Sequence, residues 1–335
     1  MGAIGLSIGF VPVVLFLAVL MFMDSYKLVR RGAVLRSIGL GCLAALTALL
    51  ANRLLLDVLH VPAPWVRRAL APIVEETLKA LYLVRLIRSE RVGFMVDAGI
   101  HGFALGTGFA LVENVYYAWA LGVFQPVLWL IRGVGTAVMH GGTTAIVGVV
   151  SKGIADRRQT RALVDFVPGL AIAAAVHALF NQLSNQPLIA TAVLLVLMPL
   201  LLLWVYERSE RATREWLGVG LDSDVEVLEL ISSGEIRDTR IGRYLESLKQ
   251  RFPGPVVADL LCLLQVHLEL AVRSKGVLIA RAAGLEIPMD DDVRANFEEL
   301  EFLERSVGPT GKMAILPFLR TSSRDLWQLH MLQRQ

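Results

Sequence analysis

Residues 187–206 read PLIATAVLLVLMPLLLLWVY. No charge interrupts this stretch, and at 1.5 Å per residue it is long enough to cross the hydrocarbon core of a bilayer as a helix. Residues 3–23 are equally clean. Working outward from these two, five more stretches reach spanning length: 37–59, 64–87, 97–121, 127–150 and 163–183. The expectation is an all-α, polytopic transmembrane helix bundle of about seven spans.

The whole composition agrees. Of 335 residues, 55% are hydrophobic and 19% charged, and the mean hydropathy is +0.58. Soluble domains carry about 25% charged residues. This excludes a disordered chain, a secreted disulfide scaffold and a nucleic-acid-binding domain. The net charge of +3 points to no nucleic-acid partner, because the basic residues sit between apolar runs. Cys42 and Cys262 fall in different kinds of sequence, so no disulfide is expected.

Basic residues collect in alternate loops: Lys27, Arg30, Arg31 and Arg36, then Arg85, Arg88 and Arg91, then Lys152, Arg157, Arg158 and Arg161, then the stretch after Tyr206. The loops near 122–125 and 184–186 carry no charge. Cytoplasmic loops gather Lys and Arg. The alternation therefore puts the N-terminus outside and the C-terminus in the cytoplasm. Residues 3–23 lack a basic start and do not read as a cleavable signal peptide. Arg67 and Arg68, at the outer end of span 64–87, break the pattern unless that span starts later. Tyr116, Tyr117 and Trp119 read as an outer aromatic belt.

Beyond residue 206 the chain turns charge-rich and has no evident spanning run. Leu260, Leu261, Leu264, Leu268 and Val272 recur at helical spacing. Gly284 reads as a helix stop and Asp290–Asp292 as a helix start. Two domains follow: a membrane-embedded one over 1–206 and a cytoplasmic α-helical extension over 207–335. His267 and His330 read as surface or packing residues.

Four of the spans carry ionisable groups. Span 64–87 has Glu75, Glu76 and Lys79; span 97–121 has Glu113 with Asn114; span 127–150 has His140; span 163–183 has His177 with Asn181. A charged side chain at the bilayer centre costs roughly 2.5–3.5 kcal/mol on insertion scales. These groups must therefore converge inside the bundle. Lys79 lies three and four residues from the two glutamates and can neutralise either. Glu75 and Glu76 point about 100° apart around the helix, so one is a reacting group and the other a partner. At 1.5 Å per residue the groups lie roughly 9–20 Å below the outer end of their spans, which places a polar cavity between the outer leaflet and the midplane. Gly102 and Gly106 form a small-xxx-small pattern suited to close packing. Asn114 reads as a helix–helix hydrogen bond, Asp97 and His101 as interfacial, and Asn52 and Arg53 as partners of the polar cluster.

Taken in order, Glu75-Glu76-Thr77-Leu78-Lys79, then Phe109-Ala110-Leu111-Val112-Glu113, then His140, then His177 with Asn181 four residues on, resembles the PrsW family of intramembrane proteases. That family carries EExxK and FxxxE motifs with downstream membrane histidines. It is related to the CAAX prenyl protease and bacteriocin-processing superfamily, in which an imidazole stands where this chain has Glu113. The resemblance covers about residues 1–206. It implies peptide hydrolysis of a membrane-tethered protein, with an anti-sigma factor as prototype substrate, in a bacterial plasma membrane, with the lipid bilayer as the other partner.

In the chemistry so implied, Glu75 or Glu76 activates a water with Lys79 as the neighbouring cation. His140 holds or polarises that water, His177 and Asn181 hydrogen-bond the oxyanion, and Glu113 orients a histidine or shares a proton. A variant adds zinc, with His140, His177 and one of Glu75, Glu76 or Glu113 as ligands, Glu76 being the first choice; no HExxH pair is present. Two other readings compete. Membrane carboxylates and histidines also build proton relays, as in a proton-coupled transporter or channel, but no inverted repeat is visible. A non-catalytic scaffold would use the same groups as a packing network.

Overall fold

The computed structural model describes residues 2–121, 125–160, 162–183, 186–285, 287–288, 291–319 and 323–333. Loop residues 122–124, 184 and 185, together with Arg161 and Asp290, lie outside the described residues. The described chain is helical throughout, with no strand, and splits into two compact units, Met1–Glu210 and Arg211–Gln335.

The first unit opens with α1 (Gly2–Met23) and α2 (Arg31–Arg53), the latter continued by a wider π-helical turn at Leu54–Val58. A single turn, α3 (Ala63–Trp65), and a second π segment, Val66–Leu70, lead into α4 (Ala71–Arg88). The regular helix of span 64–87 thus starts seven residues later than its apolar stretch. Arg67 and Arg68 sit exposed on the π turn before it, which removes them from the bundle. Then follow α5 (Met95–Leu121), α6 (Pro126–Leu130), a third π segment at Ile131–Thr136, α7 (Ala137–Arg158), α8 (Val167–Gln182) and α9 (Pro187–Ser233), whose residues from Arg211 on belong to the second unit.

α5 is the central helix, and glycine explains why. A Cβ at Gly106 would run into the main-chain carbonyl of His140, and one at Gly102 into that of Thr144, both on α7. On its other side, Gly108 meets the carbonyl of Ile38 while Gly41 of α2 meets that of Leu105. Backbones can approach this closely only where no Cβ stands between them. Val13, Leu17, Phe103, Met139, Met198 and Leu202 fill the core around this crossing. Leu15, Phe22, Leu43, Leu50, Ile172, Leu179, Val196 and Leu200 point outward, as lipid-facing side chains do.

Among the described residues six helices are long and apolar enough to cross a membrane: Arg31–Val58, Met95–Ala120, Pro126–Arg158, Leu163–Gln182, Pro187–Ser233 and Gly254–Ala282. This differs from the expected seven at three points. α4 falls short because Glu75, Glu76, Lys79, Arg85 and Arg88 lower its hydropathy. The described apolar part of α1, Ser7–Met23, is short. Gly254–Ala282 qualifies although the C-terminal region had read as free of spanning runs.

That last helix is α11 (Gly254–Ala282), in the second unit with α10 (Arg240–Leu248), α12 (Asp291–Ile315) and α13 (Ser323–Leu332). Its apolar character serves a core: Leu260, Leu263, Leu270 and Val277 cluster with Leu245, Leu303, Ile315 and Leu332. Lys275 is fully buried and donates to Asp224 at 2.5 Å. Gly284 follows α11 with φ +77°, a left-handed stop that glycine adopts freely. α12 kinks at Gly308, φ +65°, just before Pro309. His267 is buried on α11, and both cysteines are free.

Candidate active site

α4 presents Glu75 and Glu76 on adjoining faces, and each meets a different set of neighbours. Glu76 is completely buried. Its Oε1 accepts from Lys79 Nζ at 2.6 Å and His177 Nδ1 at 2.8 Å. The hydroxyl of Thr143 lies 3.1 Å from Oε1 and that of Thr144 3.4 Å from Oε2. Thr143 has one proton and also sits 3.0 Å from the carbonyl of Met139, so it serves one acceptor at a time. A buried charge is tolerated only when paired and hydrogen-bonded. Glu76 meets both conditions, and its Oε1 is crowded with donors.

Glu75 is more open, its side chain 13% exposed. Asn52 of α2 donates to its Oε1 at 3.1 Å. Its Oε2 faces His177 Nε2 at 3.8 Å. In the neutral tautomer whose Nδ1–H donates to Glu76, Nε2 keeps a lone pair on the side that faces Glu75. A gap of 3.8 Å is too long for a hydrogen bond, yet it lies within the roughly 4.2 Å that two zinc–ligand bonds of about 2.1 Å can span.

His140 completes the group from α7. Its ring stands edge-on to that of His177, centroids 4.9 Å apart, and packs against Phe109 at 4.8 Å. Nε2 is 3.0 Å from Glu113 Oε2, and Nδ1 is 3.3 Å from Lys79 Nζ. An ammonium can only donate, so Nδ1 accepts and Nε2–H donates to Glu113. Lys79 also lies over the face of Phe109, 4.8 Å from its centroid. Glu113, 26% exposed, is gripped from a further side by Arg132, whose Nη2 is 3.2 Å from the same oxygen.

One ligand atom each from Glu75, His140 and His177 lies within 4.8 Å of the others. Two imidazoles and a carboxylate form a donor set of catalytic-zinc type, and the Glu76 bond to His177 Nδ1 is the outer carboxylate contact that metal-bound histidines make. The donor chemistry therefore fits a zinc ion. Two adjustments go with binding: the donors draw together, and His140 gives up either Lys79 or Glu113 to free a lone pair.

Most of the residues singled out in the sequence meet here: Glu75, Glu76, Lys79, Glu113, His140 and His177. Asn181 does not. One turn beyond His177 and near the end of α8, it donates to the carbonyl of Arg67 at 3.0 Å. The metal-ligand group contains Glu75 rather than Glu76, whose Oε1 already accepts from Lys79 and His177. Asp97 and His101 are buried within the protein. Asp97 accepts from the amides of Gly93 and Phe94 at the start of α5, and His101 pairs with Ser37 at 2.8 Å. Asn52 joins the cluster, whereas Arg53 pairs with exposed Asp57. Asn114 bonds across helices to the Gly9 carbonyl, as expected.

Sequence reasoning missed Arg132, Thr143 and Thr144. Arg132 carried a usable signal: it is an ionisable residue inside an apolar run, subject to the same membrane cost that marked the others. Thr143 and Thr144 stand three and four residues after His140, on its face of the helix.

A family model described as PrsW family intramembrane metalloprotease matches residues 30–205, more than half of the chain. No curated protein and no solved structure matches.

Proposed function

The chain belongs to the PrsW family of intramembrane metalloproteases, and from that premise we propose that it is an endopeptidase cutting a membrane-tethered protein at the Glu75–His140–His177 centre. One observation carries the reading: ionisable side chains from α4, α5, α7 and α8 form a single connected network inside an apolar bundle.

Glu75, His140 and His177 would hold a zinc ion, which when bound supplies Lewis acidity toward water and the scissile carbonyl. Glu76 orients His177 by accepting its Nδ1–H. Lys79 pairs with Glu76 and steadies His140. Glu113, with Arg132 and His140 beside it and a quarter of its surface open, takes the proton of the attacking water and returns it to the leaving amide nitrogen. The surrounding apolar helices exclude bulk water, which strengthens each of these contacts.

The basic loops support an N-terminus outside and the 207–335 extension in the cytoplasm. With the site in the outer half of the bundle, the cut falls near the extracytoplasmic end of the substrate's span. By family resemblance the substrate is a single-span regulator of anti-sigma type. The same side chains would suit a proton relay, but membership of a protease family favours hydrolysis.

The experiment is comparative proteomics of membranes from cells carrying wild type, Glu75→Ala or His177→Ala. A single-span protein should accumulate in both variants and be cut by purified wild-type chain, with variant turnover lower by 100-fold or more, above the range of an outer-contact loss. Turnover by both variants at the wild-type rate would remove the assignment.

A further inference from the structure

We propose that Arg132 is a positioning residue that holds Glu113 against His140 and is itself anchored, through Asn114, to the first helix. This deepens the hydrolase reading and rests on it for the kinetic part of its test.

Arg132 sits in the π segment Ile131–Thr136, two turns before His140, and is buried. Its guanidinium makes three separate contacts. Nη2 is 3.2 Å from Glu113 Oε2, an ion pair whose N–H is not aligned as a hydrogen bond. Nε donates to Asn114 Oδ1 at 3.0 Å. The guanidinium plane lies over Tyr117, 3.6 Å from the ring centroid. Asn114 then donates to the carbonyl of Gly9 on α1 at 3.0 Å. Beside this chain of contacts, α1 and the π segment come together so closely that a Cβ at Gly133 would strike the Ile8 carbonyl.

Glu113, Asn114 and Tyr117 all belong to α5, so one arginine grips three points along one helix face. That fixes where the Glu113 carboxylate stands relative to His140 Nε2. A lysine offers a point charge without the planar fork. It would keep the attraction to Glu113 and lose the Asn114 bond that sets its direction. Helix α1 lies outside the family-matched residues, yet through Gly9 it is three side chains from His140: Asn114, Arg132 and Glu113.

The test uses the full-length chain in lipid nanodiscs. Nitrogen-15 histidine NMR needs no substrate; the His140 signal is the one lost in His140→Gln. Arg132→Gln should move the His140 signal and leave that of His101, which stands elsewhere on α5 and pairs with Ser37 of α2. Against the protein that accumulates in the inactive variants, Arg132→Gln should lower kcat about 10- to 100-fold, as loss of an outer contact does, with KM within about twofold. Arg132→Lys should recover part of kcat and return the His140 signal toward its wild-type position. If His101 moves too, the glutamine variant has lost its fold and the lysine variant decides: a His140 signal between the two others supports the proposal. An unmoved His140 signal, or an equal fall in kcat for lysine and glutamine, overturns it. Full turnover by Glu75→Ala and His177→Ala would sink the hydrolase reading instead, and the NMR arm would still decide the role of Arg132.

Discussion

Glu75 and Glu76 are neighbours in sequence and opposites in environment. Helical geometry separates them by about 100°, so one enters a nest of donors and the other faces His177 Nε2 across 3.8 Å. Breaking the buried Lys79–Glu76 pair from one side leaves a bare charge, which typically costs about 3–5 kcal/mol. Lys79→Met should therefore collapse thermal stability, and adding Glu76→Gln should restore part of it; a simple sum of the two losses would contradict the pairing. The sequence revealed this pair, with Glu113, His140 and His177, because each charge or imidazole is costly within an apolar run. It hid Thr143 and Thr144, whose hydroxyls satisfy themselves on their own helix backbone and cost little in lipid. Asn181 shares a face with His177 by its i,i+4 spacing, yet its amide donates to the Arg67 carbonyl, a partner that spacing along one helix does not reveal.

At the scale of elements, the site depends on how closely α5 approaches α7. Gly106 stands against the carbonyl of His140 itself, so widening that crossing moves a proposed ligand. Gly106→Ala should lower the melting temperature by the equivalent of about 1–3 kcal/mol, the usual range for overpacking, and reduce cleavage with it. Gly39→Ala, where the added methyl meets open space, should leave both near wild type. Equal effects from the two alanines would mean that the crossing does not position His140. The small-xxx-small spacing foretold a close packing face but not its partner helix. The π segments were not legible either. Arg67 and Arg68 marked the region before α4 as irregular, yet nothing in residue type separates a π turn from an α turn.

At the scale of the whole molecule, the two units have separate cores and should fail separately. Lys275→Met removes the buried Lys275–Asp224 ion pair from the second unit, so limited proteolysis should digest the chain beyond residue 210 while residues 1–210 persist. Simultaneous loss of both parts would show that they fold as one. The compositional shift near residue 206 made this division visible, but the apolar length of α11 could be assigned to a helical core only once its neighbours were in place. The central claim, that side chains from separate membrane helices meet at one metal-binding centre, is tested most directly by the zinc content of the purified full-length chain. One zinc per chain should be found in wild type and in Glu113→Gln, and lost in Glu75→Ala, His140→Ala and His177→Ala. Chelation should stop wild-type cleavage and added zinc should restore it. Zinc retained in all three alanine variants, or cleavage undiminished after chelation, would contradict the account.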